Sequence, residues 1–212
     1  MDGPHLIYFA DPMCSWCYGF APVMTAVKAR YGARLPIRII MGGLRPGTTE
    51  PMAEAAKTTL SNHWVEIHEV TGQPFNYAAL DVPGFIYDTD PAARAVVVMR
   101  ELVPEKALEF LAAAQSAFYA WGKNITEGEV LAELAASFGV QREVFLPRWN
   151  SEEAKNATWT DYATSQRAGV TGFPTLVGGP NDQGVYGAVT RGYSAPEQVL
   201  AILDGWLAKF AA

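Results

Sequence analysis

The chain has 212 residues, of which 50% are hydrophobic and 18% are charged, and its formal net charge is −6. This length suits one large domain or two small ones, with enough apolar residues for a core. A negative net charge disfavours nucleic-acid binding, which normally requires a basic patch. No apolar run reaches transmembrane length, and no basic segment followed by an apolar run opens the chain. We therefore expect a cytoplasmic protein that binds neither nucleic acid nor membranes.

The first elements are predicted to alternate between strand and helix. The apolar run His5 to Ala10 indicates a buried strand, which Asp11-Pro12 ends. Cys14-Ser15-Trp16-Cys17 follows, and the stretch from Phe20 to Tyr31 is predicted to be helical. A second strand is predicted from Leu35 to Met41. Strand–helix–strand order predicts a parallel pair joined by a right-handed crossover.

Cys14 and Cys17 are the two cysteines of the chain, and their spacing indicates redox chemistry. A strand that leads into Cys-x-x-Cys at a helix start is typical of thiol–disulfide exchange. Free N–H groups and the helix dipole stabilise an anion there, so Cys14 is expected to be the nucleophile. Cys17 lies on the same helical face, close enough to form a disulfide. Half a zinc site and two packed thiols are the alternatives, but the sequence shows no complementary set of zinc ligands.

The middle of the chain is predicted to be helical, from capping residues at helix starts and glycines at helix ends. Thr126 and Glu129 have the spacing of a capping box. His63 and His68 are expected to be surface or packing residues rather than catalytic ones. The predicted helices run from Thr48 or Thr49 to Gly72, from Asp90 through Leu102, from Pro104 to Trp121, from Thr126 to Gly139, from Arg142 to Trp149, and from Ser151 to Gly169.

Strands return near the end of the chain. Pro174 stands at the head of an apolar run, where a residue without a backbone donor is tolerated. Strands are predicted at Thr175–Val177 and Val185–Thr190, and the short turn between them predicts an antiparallel pair. Ser194 and Glu197 form a second potential capping box for a last helix. The residues of this helix that are predicted to face inward are Val199, Ile202, Leu203, Trp206 and Phe210.

The Cys-x-x-Cys after a first strand and the run Gly172-Phe173-Pro174-Thr175 together resemble the thioredoxin superfamily. The long segment between them is similar to that of the DsbA-like branch, and Phe9 to Phe20 resembles its FrnE-like subgroup. The resemblance implies an α/β fold, in which a mainly helical domain is inserted into a thioredoxin domain. The implied thioredoxin domain comprises residues 1–46 and 169–212, and the implied helical insertion comprises residues 47–168.

The resemblance also implies roles for individual residues. In this superfamily the proline, here Pro174, is cis and faces the dithiol. Cys14 would attack a substrate disulfide and Cys17 would resolve the mixed disulfide. Trp16, Phe173 and Pro174 are the implied substrate-binding residues, and the chain beside the proline would pair with a bound substrate as an added strand. For Trp16, packing beneath the helical domain is an equal alternative. The redox-active pair implies no cofactor and no metal.

The sequence departs from the family pattern near the dithiol. DsbA-type enzymes often carry a histidine between the cysteines, whereas Ser15-Trp16 stands here, which predicts a less oxidising pair. Family members place a buried carboxylate six residues before the first cysteine, where this chain has Tyr8. Since Asp11 lies past the strand, proton transfer from Cys17 is expected to use water or another group. Arg45 is a candidate anchor for a carboxylate or for glutathione, although a solvated loop charge is the simpler interpretation.

Three functions are compatible with these features. The favoured one is disulfide exchange on a protein or small-molecule substrate, with glutathione as a candidate co-substrate. The second is a glutathione-dependent isomerase or transferase, similar to the kappa-class glutathione transferases and the 2-hydroxychromene-2-carboxylate isomerases. Those enzymes typically carry serine where Cys14 stands, so the presence of both cysteines disfavours this function. The third is a non-catalytic binding module. The low share of charged residues is compatible with a homodimer.

Overall fold

A four-stranded mixed sheet organises the computed structural model, which describes residues 3–181 and 183–209. The strands are β1 (His5–Ala10), β2 (Ile37–Met41), β3 (Thr175–Gly179) and β4 (Gly187–Arg191). Their spatial order is β2-β1-β3-β4. Strand β1 pairs parallel with β2 and antiparallel with β3, and β3 pairs antiparallel with β4. The predicted parallel and antiparallel pairs are therefore both confirmed.

Eight helices accompany the sheet in the described ranges. They are α1 (Ser15–Tyr31), α2 (Glu54–Thr71), α3 (Asp90–Leu102), α4 (Ala107–Tyr119), α5 (Gly128–Ser137), α6 (Arg142–Trp149), α7 (Glu152–Arg167) and α8 (Pro196–Ala208). Every helix predicted between residues 48 and 169 is present, although several start later than expected. None of the helices in the described ranges is both long enough and apolar enough to cross a membrane.

The start of α2 differs from the prediction. The helix begins at Glu54, so neither Thr48 nor Thr49 caps it. The hydroxyl of Thr48 instead donates to the backbone carbonyl of Arg45 at 3.0 Å. Pro51 follows shortly after, and the residue before a proline is disfavoured in helical conformation. The segment before Glu54 therefore stays outside the helix.

The two predicted capping boxes do not form. The hydroxyl of Thr126 donates to the side chain of Asn124 at 2.7 Å, and the hydroxyls of Ser194 and Thr190 lie 3.0 Å apart. Both hydroxyls thus have partners outside the helices that they were predicted to cap. Ser151 does cap α7 as predicted, because its side chain accepts a backbone N–H from the first turn at 3.1 Å.

Helix α8 packs on the sheet through a narrower face than predicted. Val199 and Leu203, which are four residues apart, are fully buried, and Trp206 is partly buried. Ile202 is 46% exposed, so its predicted inward position is wrong. Its position lies about 100° around the helix from Leu203, at the margin of the buried stripe. Phe210 lies outside the described residues.

Helix α1 packs between the sheet and the helices of the middle segment. The ring of Tyr18 on α1 stacks on that of Tyr119 on α4, with ring centroids 5.1 Å apart. Trp64 of α2 is fully buried and packs edge-on against Tyr119 at 5.2 Å. The core is therefore continuous from the sheet into the helical segment. The domain boundaries at residues 46 and 169 stay a prediction.

The edge strand β2 is held by side chains of the middle segment. Arg100 on α3 donates to the carbonyl of Ile39, and the carboxylate of Asp161 on α7 accepts the N–H of Met41 at 2.9 Å. Arg100 and Asp161 also form an ion pair at 2.7 Å, and Asp161 is only 6% exposed. The pair therefore satisfies backbone groups that an edge strand otherwise leaves open.

Replacing Asp161 with asparagine is expected to destabilise the protein by roughly 2–4 kcal/mol, because it leaves the partly buried Arg100 without its counter-charge. Urea denaturation measures this change. The matched control is Glu129→Gln, which breaks an ion pair with Arg142 whose side chains are 63% and 55% exposed. Exposed pairs contribute less than about 1 kcal/mol. Equal losses in the two variants would contradict the proposed role of Asp161.

Candidate active site

Cys14 occupies the N-cap of α1, directly after the turn that ends β1. Its backbone is extended, and its carbonyl accepts the first helical bond from the N–H of Tyr18 at 3.0 Å. Its own N–H donates to the carbonyl of Asp11 at 3.1 Å. The predicted position of this cysteine at the helix start is confirmed. The free N–H groups of the first helical turn therefore lie next to its side chain.

The two thiols differ in their access to solvent. Both are free, with Cys14 7% exposed and Cys17 fully buried. Burial raises the pKa of the Cys17 thiol well above its usual value, and the hydrogen bond with the neighbouring Cys14 raises it further. A substrate that approaches along the surface therefore meets Cys14 first, with Cys17 behind it.

The segment before β3 faces the dithiol. The peptide bond between Phe173 and Pro174 is cis, and the thiol of Cys14 donates to the carbonyl of Phe173 at 3.5 Å. Pro174 is buried, while Phe173 is partly exposed and its ring lies against Gly42. The structure thus brings together Cys14 and the Phe173-Pro174 pair, which are far apart in sequence.

Asp11 is a buried carboxylate beside the dithiol. It is fully buried, and its two oxygens accept the N–H groups of Met13 and Leu44, each at 2.9 Å. Burial raises the pKa of Asp11 to about 6, and the hydrogen bonds oppose the rise. The carboxylate therefore joins the turn between β1 and α1 (residues 11–14, the dithiol turn) to the loop after β2. Sequence reasoning missed this role.

A cavity of about 490 Å³ opens in front of Cys14. Its walls come from the dithiol turn, the loop after β2, helix α2 and the segment before Pro174. Arg45, His63, Gln166 and Thr171 supply polar side chains to these walls. Sequence reasoning named Arg45 as a candidate anchor, and it predicted His63 to be a surface or packing residue, which agrees with its exposed side chain. Among residues 3–181 and 183–209, no three His, Cys, Asp or Glu side chains are grouped as metal ligands would be.

Trp16 also lines this cavity. Its side chain is partly exposed, and its ring packs against Tyr193, just after β4, with centroids 5.9 Å apart. Tyr193 belongs to the C-terminal part of the chain, outside the segment 47–168. The indole therefore presents an apolar surface next to Cys14, as the predicted substrate contact requires.

The family model described as the DSBA-like thioredoxin domain matches residues 5–193. The chain belongs to this family. Its DsbA-like fold is the α/β fold with a mainly helical insertion that the sequence predicts.

Solved structures and curated proteins include relatives of this DsbA-like chain. A candidate protein disulfide isomerase from Nitrosomonas europaea is 38% identical, with a TM-score of 0.90 over 98% of this chain and 99% of the other. The cytosolic disulfide reductase DsbM from Pseudomonas aeruginosa, solved with GSH, is 26% identical, with a TM-score of 0.77 over 96% and 99%. The ClpXP adapter protein SpxH of Bacillus subtilis is 28% identical over 79% of this chain and 56% of its own length. The chain thus spans about half the length of the curated relatives it matches.

Replacing Gly42 with alanine is expected to slow disulfide exchange about tenfold, or ~1.4 kcal/mol in activation free energy. The added Cβ would lie 2.2 Å from the ring of Phe173, which must then move together with the carbonyl that contacts Cys14. The rate of reduction of an aromatic disulfide measures the effect. Gly187→Ala is the control, because a Cβ there meets nothing within 4 Å. An unchanged rate in the Gly42 variant would show that close packing of this ring is not required.

Proposed function

We propose that this DsbA-like protein is a thiol–disulfide oxidoreductase that works through Cys14 and Cys17. The observation that carries the proposal is the arrangement of the two thiols. Cys14 lies at a helix start, at the surface of a cavity and against the carbonyl of Phe173, and Cys17 is buried directly behind it. This is the geometry that an attacking thiol and a resolving thiol need.

The proposed reaction has two exchange steps. The Cys14 thiolate attacks one sulfur of a substrate disulfide, and the bonding electron pair leaves on the other sulfur. Cys17 then attacks Cys14 in the mixed disulfide, which forms the Cys14–Cys17 bond and releases the second substrate thiol. The substrate gains two electrons and two protons, and the enzyme pair loses them. A second thiol compound must reduce the pair before the next cycle.

Backbone groups beside the dithiol support binding of a peptide disulfide. The N–H groups of Thr171, Gly172 and Phe173 make no hydrogen bond with the part of the chain that the structure describes. An extended substrate can pair with such groups as an added strand. Trp16 and Phe173 would contact its side chains, next to Pro174.

The cationic side chain of Arg45 on the cavity wall supports glutathione as a co-substrate. The guanidinium of Arg45 stacks over the ring of Tyr87 at 5.6 Å and forms no ion pair within the described residues. His63 lies on the same cavity wall. A short peptide with two carboxylates, such as glutathione, would find a cationic partner there. The relative DsbM was solved with GSH.

We also propose that the protein acts as a reductant or exchange catalyst in the cytoplasm. The dipeptide Ser15-Trp16 supplies no cation to stabilise the Cys14 thiolate. A less stabilised thiolate makes the disulfide form a weaker oxidant. The relative DsbM, a cytosolic disulfide reductase, supports the same direction. Assignment to the FrnE-like subgroup stays a prediction.

Replacing Cys17 with serine is expected to trap a mixed disulfide at Cys14, because the resolving thiol is gone. Mass spectrometry of the variant after incubation with oxidised glutathione would show one added glutathione. Replacing Cys14 with serine is expected to abolish exchange, because Cys17 is inaccessible. Full reductase activity in the Cys14 variant would overturn the proposed roles. If the protein were a glutathione-dependent isomerase, turnover would depend little on Cys17.

A further inference from the structure

The buried hydroxyl of Tyr8 interacts with the thiol of Cys17 without forming a regular hydrogen bond to it. Tyr8 is 1% exposed, and its hydroxyl oxygen makes no hydrogen bond of regular geometry with the described residues. Buried hydroxyls are normally paired, because leaving one unpaired is unfavourable. An exception next to reactive groups therefore calls for a functional explanation.

The position of Tyr8 brings this hydroxyl to the dithiol. The side chain projects from β1 beneath α1, where its ring packs 5.9 Å from that of Phe20. Its burial raises its pKa well above the usual value, and the adjacent thiols of Cys17 and Cys14 raise it further. The phenol therefore keeps its proton at neutral pH. It is a hydrogen-bond donor beside Cys17 and not a base.

The charged groups that lie near Tyr8 and Cys17 already have partners. The carboxylate of Asp11 accepts two backbone N–H groups, and its charge disfavours the Cys17 thiolate. Lys28 on α1 and Glu109 on α4 line a cavity of about 400 Å³ that Tyr8 also lines, but they pair with each other at 2.6 Å. Gln115 also lines this cavity, and its Nε2 likewise lacks a regular hydrogen-bond partner. Of these two donors, it is the Tyr8 hydroxyl that interacts with Cys17.

We propose that Tyr8 is a positioning residue for the resolving step, in which its hydroxyl donates a hydrogen bond to the sulfur of Cys17 as that thiol becomes a thiolate. The inference rests on the proposed function. When Cys17 attacks, the new bond joins it to Cys14, and the bond from Cys14 to the substrate breaks with its electron pair on the substrate sulfur. The proton lost from Cys17 passes to water, and the departing thiolate takes one up.

Tyrosine would act differently from the buried carboxylate that the family resemblance implies at this position. A carboxylate can accept the proton of the resolving thiol, whereas a phenol that keeps its proton can only stabilise the thiolate. The resolving rate should therefore rise with pH as Cys17 ionises. Removing the hydroxyl should move that rise to higher pH.

Stopped-flow reaction of the reduced protein with 5,5′-dithiobis(2-nitrobenzoate) separates the two steps. Attack by Cys14 releases a first thiolate at a rate that depends on reagent concentration, and resolution by Cys17 releases a second at a rate that does not. In Tyr8→Phe we expect the second release to slow about tenfold at neutral pH. A slowing of this size matches the loss of one hydrogen bond to a charged group. Its pH midpoint should rise by about one unit, and the first release should change less than about twofold.

Two comparisons make this result specific to the hydroxyl. Tyr31→Phe removes a hydroxyl that bonds Leu200 and Asp204 at the far end of α1, so both releases should match the wild type. Urea denaturation should show Tyr8→Phe to be about as stable as the wild type, because the hydroxyl that it loses makes no regular hydrogen bond. An unchanged second release with an unchanged pH profile in Tyr8→Phe would overturn the inference alone. Absence of a second release in the wild type would overturn the proposed function as well.

Discussion

The buried carboxylate of Asp11 determines how the two loops of the site meet. One oxygen accepts the N–H of Met13 in the dithiol turn, and the other accepts the N–H of Leu44 in the loop after β2. That second loop contains Gly42, against which the ring of Phe173 packs. The distance between Cys14 and the carbonyl of Phe173 therefore depends on a contact that neither residue makes itself.

Burial of the Asp11 carboxylate is electrostatically unfavourable. The folded state raises the pKa of Asp11 from its ordinary value near 4 to about 6, chiefly through burial. The folded state thus favours the protonated acid, so the contribution of Asp11 to stability is fully present below about pH 4 and is lost as the pH rises through about 6. At neutral pH the protein keeps an ionised group that burial disfavours, and it gains two charge-assisted hydrogen bonds that hold the site.

The sequence was most informative where chemistry is local. The two cysteines, the proline at a strand head and the helices with clear start and stop signals could all be predicted from it. The site residues that were missed depend on distant contacts. Asp11 was set aside because it lies past β1, yet its partner Leu44 belongs to another loop. His63 is exposed, as predicted, but its position at the cavity depends on the packing of α2 against α1.

The partners of predicted helix caps are also difficult to predict from sequence. Thr126 and Ser194 have the right spacing for caps, but each hydroxyl finds a nearby side-chain partner instead. Ile202 is likewise exposed because it lies at the margin of the stripe that α8 buries, and periodicity alone does not define the width of that stripe. Sequence pattern therefore predicts which elements exist better than it predicts which atoms they bring together.

The central claim is that Cys14 and Cys17 form a reversible redox pair that favours reduction of substrates. Its most direct test is a titration of the purified protein in glutathione buffers, with the disulfide state read by alkylation and mass spectrometry. We expect a single two-electron transition with a potential nearer the thioredoxin value of about −270 mV than the DsbA value of about −120 mV. A transition near about −120 mV would contradict the proposed direction, and the absence of any reversible transition would contradict the claim itself.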